Sequence, residues 1–211
     1  MKRLFSFGNV PPIHVIDDDE DMLFALKDLL QSAGYVAHTY ENAMEFMERT
    51  SEFTGVLLLD LRLRGMGGLS VQERLSHYPH LQIIFMSGVA EVPDSVVAMK
   101  AGAHDFLVKP FRDQVLLDSV ATAMMKVAAS VAESQSFEAA VSSFETLTET
   151  EREIARLVAS GLRNKEIAYI STKTENTVKV HRSRIMRKMG VNSAYALMSK
   201  LQVLGPEQED A

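Results

Sequence analysis

The sequence of 211 residues predicts an α/β fold, a five-stranded doubly wound parallel sheet, followed by a second, smaller all-α domain. Short apolar runs alternate with helical patterns as far as residue 128, which is typical of a parallel sheet covered by helices. From residue 145 only helical patterns recur. Residues 1–144 carry a net charge of -8 and residues 145–205 one of +5. This division indicates two domains with different partners, the basic one suited to nucleic acid.

The elements of the first domain follow from apolar periodicity and from helix stop signals. The run VLLL at 56–59 is apolar throughout, which indicates a strand buried on both faces. Gly34 and Pro79 stop two of the helices. The predicted strands are 13–16, 35–39, 56–59, 82–86 and 106–108, and the predicted helices are 22–32, 43–49, 69–78, 93–101 and 112 to about 127.

Composition excludes several classes of protein. The chain has no cysteine, so it has neither disulfides nor thiolate metal sites, which suits a reducing cytosol. The N-terminus lacks the apolar stretch of a secretory signal. No segment approaches the length of a membrane span. We therefore expect a cytoplasmic protein without a membrane partner.

Polar residues follow four of the predicted strands: Asp17 and Asp18, Asp60, Ser87 and Lys109. Asp60 alone could simply start a turn. The carboxyl ends of parallel strands, however, share one edge of the sheet, where ligands bind in open α/β folds. Together these side chains supply a carboxylate nucleophile, further acids, a hydroxyl and a cation. That set fits phosphoryl transfer to an aspartate.

Five consecutive acids, residues 17–21, precede the first helix. Complementing the helix dipole explains one or two of them. Carboxylates about 5 Å apart repel by roughly 3 kcal/mol at an effective dielectric near 20, so a crowded set requires a cation. Mg²⁺ is the candidate, since it uses one or two carboxylates and retains room for water and phosphate.

The order Asp17-Asp18, Asp60, Ser87-Gly88 and Lys109-Pro110-Phe111 resembles the receiver domain of two-component response regulators, over residues 12–128. SGVAEVPDSVVAMKAGAHDFLVKPF is most similar to the FixJ-type subgroup. The resemblance implies a flavodoxin-like sheet in which a histidine kinase phosphorylates the acceptor. It implies these roles: Asp60 as phosphoacceptor; Asp17, Asp18, Asp60 and the backbone carbonyl of Arg62 as Mg²⁺ ligands; Ser87 and Lys109 as phosphate contacts; Phe106 as an aromatic switch that follows Ser87.

One loop departs from the family pattern. Members usually carry Met-Pro shortly after the acceptor, whereas this chain reads Leu61-Arg62-Leu63-Arg64-Gly65. Arg64 in place of the proline loosens the loop and brings positive side chains beside the site. We expect an effect on phosphate lifetime or kinase docking, without loss of a group that the chemistry needs.

Residues 129–144 are rich in Ala, Ser, Val and Glu and contain neither Gly nor Pro. We interpret them as a linker that is at least partly helical. The second domain then covers residues 145–205. Thr148 and Glu151 form a capping box. Asn164 and Thr174 cap two further helices, 165–170 and 174 to about 189, so the pattern predicts a helix-turn-helix.

The helix after Thr174 carries the prediction of DNA binding. Five basic residues and no acid lie between 179 and 188. Val178, Ile185 and Met189 fall on one side at helical spacing, which indicates the core face. The opposite side carries Lys179, Val180, Ser183, Arg184 and Arg187. A solvated basic face is the simpler alternative. The second helix of a helix-turn-helix, however, lies in the major groove.

The segments LTETEREIARLVASGLRNKEIA and TVKVHRSRIMRKMGV resemble the LuxR/NarL-type DNA-binding domain. The resemblance makes Lys179, Val180 and Ser183 base-reading positions, and Arg182, Arg184 and Lys188 phosphate contacts. It also makes the apolar stripe of a last helix, 192–204, a dimer surface; the stripe is Ala194, Leu197, Met198 and Leu201. Ser171-Thr172-Lys173 replaces the family's Leu-Gly-Ile, which should loosen the motif by a few kcal/mol, an order-of-magnitude estimate.

The chain is thus interpreted as a DNA-binding response regulator and not as a turnover enzyme. It would phosphorylate and dephosphorylate itself, dimerise when phosphorylated, and bind double-stranded promoter DNA. Two alternatives stay open. One is a phosphohydrolase that uses the same aspartate and Mg²⁺, although Arg62 stands where a general acid is usual. The other is a receiver that acts by protein contact, with DNA binding impaired at residues 171–173.

Overall fold

A computed structural model of the chain describes residues 11–50, 53–88 and 92–205. The chain forms two compact units, residues 1–131 and 132–211. The predicted boundaries were 128/129 and 144/145, whereas the units divide after residue 131, within a helix. Each unit is described by itself.

The first unit is a five-stranded sheet in the order β2-β1-β3-β4-β5, and every pair of neighbouring strands is parallel. This order is the doubly wound, flavodoxin-like one, so the predicted fold class is confirmed. The strands are β1 (Ile13–Ile16), β2 (Ala37–Tyr40), β3 (Gly55–Asp60), β4 (Leu81–Ser87) and β5 (Asp105–Val108). The helices are α1 (Glu20–Ser32), α2 (Ala43–Arg49), α3 (Gly68–Leu75), α4 (Val92–Lys100) and α5 (Asp113–Glu145).

The central strand β3 is buried along its whole length, as its apolar sequence predicted. Alternate residues enter two separate cores because side chains of a strand alternate between its faces. Val56 and Leu58 pack with residues of α1 and α5. Leu57 and Leu59 pack with residues of α2 and α3. Both faces of the sheet are therefore covered, and the end of β3 is held from two sides.

Helix α3 begins in close contact with the end of β3. A Cβ atom at Gly68 would lie 2.8 Å from the carbonyl oxygen of Asp60 and 3.0 Å from the Phe85 ring. Only glycine permits this approach of helix to strand. The contact places the first turn of α3 directly behind the residue predicted as the phosphoacceptor.

Helix α5 has 33 residues, so the stretch 129–144, interpreted as a linker, is helical without a break. Of the helices described, it is the one long and apolar enough to cross a membrane by length and composition. The expectation that no segment approaches that length was therefore wrong. Its buried residues nevertheless pack in protein cores: Leu116, Val120 and Val127 in the first unit, Ala140 and Phe144 in the second. In the qualifying window of α5, 33% of the residues are buried, and length and composition alone are weak evidence of a membrane span.

The second unit contains the end of α5 and four further helices: α6 (Glu149–Ala159), α7 (Asn164–Ile170), α8 (Glu175–Lys188) and α9 (Ala194–Leu204). The predicted capping box of Thr148 and Glu151 is present at the start of α6. Val178, Ile185 and Met189 are fully buried, as the spacing along α8 predicted. The unit is therefore the predicted all-α domain with a helix-turn-helix, α7 and α8.

The turn between α7 and α8 keeps a regular geometry despite its unusual sequence. Lys173 N–H donates to the Ala168 carbonyl at 2.9 Å, and Thr172 N–H to the Tyr169 carbonyl at 3.4 Å. These two bonds form a Schellman motif, whose left-handed position is normally glycine. Thr172 occupies it with φ +54°. The same motif after α6 has Gly161 at φ +82°. The chain thus forms the turn at the expense of a strained β-branched residue.

Two of the four residues in the predicted apolar stripe on α9 are buried. Leu197 and Leu201 are 0% and 3% exposed and lie in the core of the second unit. The apolar side of α9 that carries these two leucines packs against the other helices of the same unit. Ala194 and Met198, the other two residues of the predicted stripe, are partly exposed, so the assignment of a dimer surface to α9 stays a prediction. The exposed apolar residues of α9 are Tyr195 and Val203.

Candidate functional site

Four strand ends bring polar residues to one edge of the sheet in the first unit. Asp17 follows β1, Asp60 ends β3, Ser87 ends β4 and Lys109 follows β5. The Lys109 ammonium donates to Asp17 Oδ2 at 2.6 Å and to Asp60 Oδ1 at 2.7 Å. One nitrogen therefore holds together two carboxylates that are 43 residues apart in sequence. The residues meet because the strands are parallel and their carboxyl ends therefore lie at one edge of the sheet.

The remaining oxygens of the two carboxylates are oriented by the backbone. Asp17 Oδ1 accepts from the Asp19 N–H at 3.1 Å, and Asp60 Oδ2 accepts from the Arg62 N–H at 2.7 Å. Both donors lie two residues further along the chain, as in an Asx turn. The backbone thus fixes the directions of both carboxylates, which is the preorganisation that electrostatic catalysis requires.

Burial and pairing act in opposite directions on the pKa values of Asp17 and Lys109. The side chain of Asp17 is 2% exposed, and that of Lys109 is 17% exposed. Burial raises the pKa of Asp17 above its ordinary value, although the hydrogen bond from Lys109 opposes the change. Burial alone would lower the pKa of Lys109, but hydrogen bonds to Asp17 and Asp60 raise it. Lys109 therefore stays a cation throughout the physiological range.

Asp18 is not drawn into this cluster. Its Oδ2 pairs instead with Nε of Arg64 at 2.8 Å. Arg64 lies in the loop after β3, at the position where the chain departs from the receiver pattern. The sequence predicted a positive side chain beside the site. The structure identifies the carboxylate that it contacts.

The oxygen donors of this edge are chemically suited to Mg²⁺. Within 11–50, 53–88 and 92–205, no group of three His, Cys, Asp or Glu side chains converges closely enough to hold a metal by itself. Mg²⁺ does not need such a group, since it binds through one or two carboxylates and keeps several waters. Asp17 and Asp60 already converge on one cation, Lys109. The carboxylate set therefore fits a hard divalent ion.

Ser87 and Phe106 lie on the two adjacent strands at this edge. Ser87 is buried, and its carbonyl accepts the Lys109 N–H at 2.7 Å. Phe106 is half-buried on β5, with its ring centroid 6.2 Å from that of Phe85. The backbone thus links the hydroxyl-bearing residue directly to the lysine.

Not all of the five consecutive acids serve this edge. Asp19 is the N-cap of α1 and accepts from the N–H groups of Asp21 and Met22. Glu20 and Asp21 lie in the first turn of α1, where acids are favourable. The helix terminus thus accounts for three acids, and the strand end supplies Asp17 and Asp18.

In the second unit, α8 presents a basic face opposite its buried residues. The exposed residues of this face are Lys179, Val180, Ser183, Arg184 and Arg187. Arg182 is half-buried, and its Nη1 donates to Asn164 Oδ1 at 3.1 Å, which ties α8 to the start of α7. Cations without local acids on one face of a helix suit the backbone of a duplex.

Lys188 differs from the other cations of α8. Its ammonium donates to Glu151 Oε2 at 2.6 Å and to the Thr146 carbonyl at 2.8 Å. The Glu151 side chain is 4% exposed. Burial would raise the pKa of Glu151, but the hydrogen bonds from Lys188 and Thr148 lower it. Lys188 thus neutralises a buried acid. Sequence reasoning missed this role because the partner lies 37 residues away.

Comparison with known proteins gives the same division of the chain. Residues 13–121 match the response regulator receiver domain family, and residues 145–202 match the family of bacterial regulatory proteins of the luxR type. Nodulation protein W of Bradyrhizobium diazoefficiens is 38% identical over 92% of this chain and 86% of its own length. The transcriptional regulatory protein FixJ of Rhizobium meliloti is 33% identical over 86% of this chain and 90% of its own.

Solved structures show the same likeness. The response regulator StyR has 36% identity and a TM-score of 0.82 over 92% of this chain and 99% of its own. Full-length FixJ from B. japonicum has 31% identity and a TM-score of 0.56 over 92% of this chain and 97% of its own. These relatives are transcriptional regulators and not classical enzymes. The chain belongs to the family of two-component response regulators that join a receiver domain to a LuxR-type DNA-binding domain.

Proposed function

We propose that Asp60 is the residue that accepts the phosphoryl group. The observation that carries this proposal is the Lys109 ammonium shared between Asp17 and Asp60 at 2.6 and 2.7 Å. An Asp60 oxygen attacks phosphorus, the bond from phosphorus to the donor's nitrogen breaks, and an acyl phosphate forms. When the donor is a histidine kinase, the leaving imidazole nitrogen recovers a proton.

Several groups of the first unit serve this transfer. Lys109 moves its hydrogen bond from the Asp60 carboxylate to a phosphoryl oxygen and neutralises the charge that develops there. The Ser87 hydroxyl donates a hydrogen bond to another phosphoryl oxygen. The Phe106 side chain then follows the movement of Ser87. Asp17, Asp18, Asp60 and the Arg62 carbonyl hold Mg²⁺. When bound, this ion supplies charge neutralisation on the transferring group. The chain is a phosphoacceptor that also hydrolyses its own acyl phosphate.

The test is labelling of the full chain by a small radioactive phosphodonor such as acetyl phosphate. We expect Mg²⁺-dependent label on the wild-type chain and none on Asp60→Asn. Asp28→Asn is the matched control, since it removes an exposed acid of α1. It should be labelled as the wild type is. Equal labelling of Asp60→Asn would reject the acceptor.

We propose further that the second domain, residues 145–205, binds double-stranded promoter DNA through α8. Lys179, Val180 and Ser183 would read bases, and Arg182, Arg184 and Arg187 would contact phosphates. Lys188 was predicted among the phosphate contacts, and its bond to Glu151 now favours a structural role. This surface is exposed and basic, which supports groove binding over contact with protein alone.

Fluorescence anisotropy with labelled duplex DNA tests this assignment. Arg184→Ala should weaken binding by a similar factor on every sequence and reduce the salt slope by about one. Ser183→Ala should instead change the preference among sequences. Absence of binding at low salt by the phosphorylated chain would favour a receiver that acts by protein contact.

We infer that phosphorylation promotes a homodimer, whose two recognition helices would meet paired half-sites. Tyr195 and Val203 on the outer side of α9 are candidates for that contact, since Leu197 and Leu201 are buried. Sedimentation of the full chain with and without phosphodonor measures the dimerisation.

We also propose a cytoplasmic location, as the absence of cysteine suits a reducing compartment.

A further inference from the structure

The loop after β3 supplies a second cation to the phosphorylation site. Arg64 Nε lies 2.8 Å from Asp18 Oδ2, while Lys109 serves Asp17 and Asp60. Three carboxylates therefore meet two protein cations. The acid that Lys109 does not reach is the one that Arg64 holds.

The two cations are held very differently. The Lys109 side chain is 17% exposed and bonds two acids, whereas the Arg64 side chain is 89% exposed. Exposed ion pairs are weak because water and salt screen them and because a long side chain loses entropy when it is fixed. The Lys109 contacts are therefore the more strongly held, and the Arg64–Asp18 pair is the one that another cation can replace at lower cost.

We propose that Arg64 is an internal competitor of Mg²⁺ for the carboxylate of Asp18. The guanidinium neutralises Asp18 in the metal-free protein and leaves it when the ion binds. This inference rests on the proposed function, since it concerns the same magnesium site. Arg64 is a positioning residue: it sets the Mg²⁺ concentration at which the site becomes competent, and it takes no part in phosphoryl transfer.

The competition follows from the chemistry of the pair. An Asp18 oxygen that accepts a hydrogen bond from a guanidinium has a weaker attraction for another cation. Mg²⁺ must displace Arg64 from Asp18 or bind with one carboxylate fewer. Displacement lowers the apparent affinity by the strength of the Arg64–Asp18 pair, which is the upper limit of the effect, since the ion takes whichever route costs less.

Isothermal titration of the metal-free full chain with MgCl₂ tests the proposal without any phosphoryl transfer. We expect Arg64→Ala to bind Mg²⁺ about two- to fivefold more tightly than the wild type, the range of an exposed ion pair. Arg64→Lys keeps the charge and should lie between the two. An unchanged or weaker affinity in Arg64→Ala overturns the proposal.

Two controls separate the explanations. Arg112→Ala removes an exposed cation from the loop after Lys109. If this variant gains as much Mg²⁺ affinity as Arg64→Ala, net charge explains the effect, and direct competition is overturned. Asp17→Asn tests the site itself. If it loses Mg²⁺ while Arg64→Ala matches the wild type, only the role of Arg64 fails. If the wild type itself binds no Mg²⁺, the proposed magnesium site fails as well.

Discussion

Lys109 in the first unit and Lys188 in the second make almost the same contact. Each places its ammonium 2.6 Å from the oxygen of a buried carboxylate. Lys109 then reaches a second acid, Asp60, at the carboxyl edge of the sheet. Lys188 reaches instead the Thr146 carbonyl, and its partner Glu151 also caps α6. The first cluster has carboxylates on two strand ends, and the second is closed by backbone groups.

The difference teaches that a short lysine–carboxylate distance does not by itself separate a pair proposed to serve chemistry from one that stabilises a fold. The distinction lies in the groups around the pair. Around Lys109, acids outnumber cations and lie where ligands bind in α/β sheets. Around Lys188, a single acid, its lysine and the helix cap satisfy one another. We therefore expect loss of Lys109 to impair chemistry and loss of Lys188 to impair folding.

The largest expected effect is that of Lys188→Met on the second unit. It leaves Glu151 buried without its cation, which typically costs about 3–5 kcal/mol of unfolding free energy. Hydrogen exchange of peptides from α6 to α9 in the full chain measures the loss. Lys179→Met, on the exposed face of the same helix, should change protection by less than about 0.5 kcal/mol. A stable Lys188→Met that fails only in DNA binding would contradict this comparison.

The double variant Lys188→Met with Glu151→Leu sharpens the same point. Replacing a buried pair by apolar residues of similar size is often neutral. We expect the double variant to regain more than half of the unfolding free energy that Lys188→Met loses. About 1 kcal/mol stays lost because Glu151→Leu also removes the capping box. No recovery would mean that Lys188 stabilises the unit through contacts other than its charge.

The next effect is that of Lys109→Ala on phosphoryl transfer. Removal of one preorganised charge from a transfer site typically costs about 10²–10³ in rate, and we expect this loss in labelling by acetyl phosphate. Asp17, whose side chain is 2% exposed, also loses its cation in this variant, so circular dichroism must show that the helix and sheet content is retained at the assay temperature. A variant labelled as fast as the wild type would remove Lys109 from the mechanism.

A smaller effect concerns His14, which is buried beside His38 in the first unit. Its Nδ1 shares a hydrogen bond with the Tyr40 hydroxyl at 3.1 Å. Burial, with further lowering by His38, reduces the pKa of His14 from 6.5 to about 4. The unfolded state therefore binds a proton first as pH falls. Stability is fully present above pH 6.5 and declines towards pH 4, by about 2–3 kcal/mol at pH 4.5.

Urea unfolding of the wild type and of His14→Gln at pH 7.5 and 4.5 measures this contribution. The glutamine cannot titrate, so the variant should lose less stability between the two pH values. His38→Gln is the control for the neighbouring charge and should change the slope less. Parallel pH profiles in wild type and His14→Gln would refute the role of His14.

The smallest effect is expected at the turn of the helix-turn-helix. Thr172→Gly relieves a β-branched residue in the left-handed region and should stabilise the second unit by about 1 kcal/mol. Gly161→Thr creates the reverse situation in the matching turn after α6 and should destabilise it by a similar amount. Hydrogen exchange of α7 and α8 follows both. A destabilised Thr172→Gly would show that the threonine side chain has a favourable role there.

Most of the fold was predictable because local patterns determined it. The apolar run of β3, the capping box at Thr148 and the buried spacing of α8 each depend on neighbours in sequence. The positions of Asp17, Asp60 and Lys109 were predictable too, since parallel strands share one edge. The residue at which α5 ends could not be predicted, because the stretch before it is rich in Ala, Ser and Glu and contains no helix stop signal.

What the sequence did not reveal depends on partners far along the chain. Lys188 looked like one more surface cation until its contact with Glu151 was known, and Arg64 had no assigned acid before Asp18. Leu197 and Leu201 were apolar at the right period, but periodicity does not say whether a domain's own core or a second copy covers the stripe. These are questions of packing between elements.

The contact between Gly68 and the carbonyl of Asp60 has an evolutionary consequence. Any larger residue would push α3 away from the strand that ends at Asp60, so we expect substitutions at position 68 to be rejected although its side chain touches no reacting group. A saturation library selected for signalling should return one amino acid at position 68 and many at the solvent-facing Ser70 two residues later.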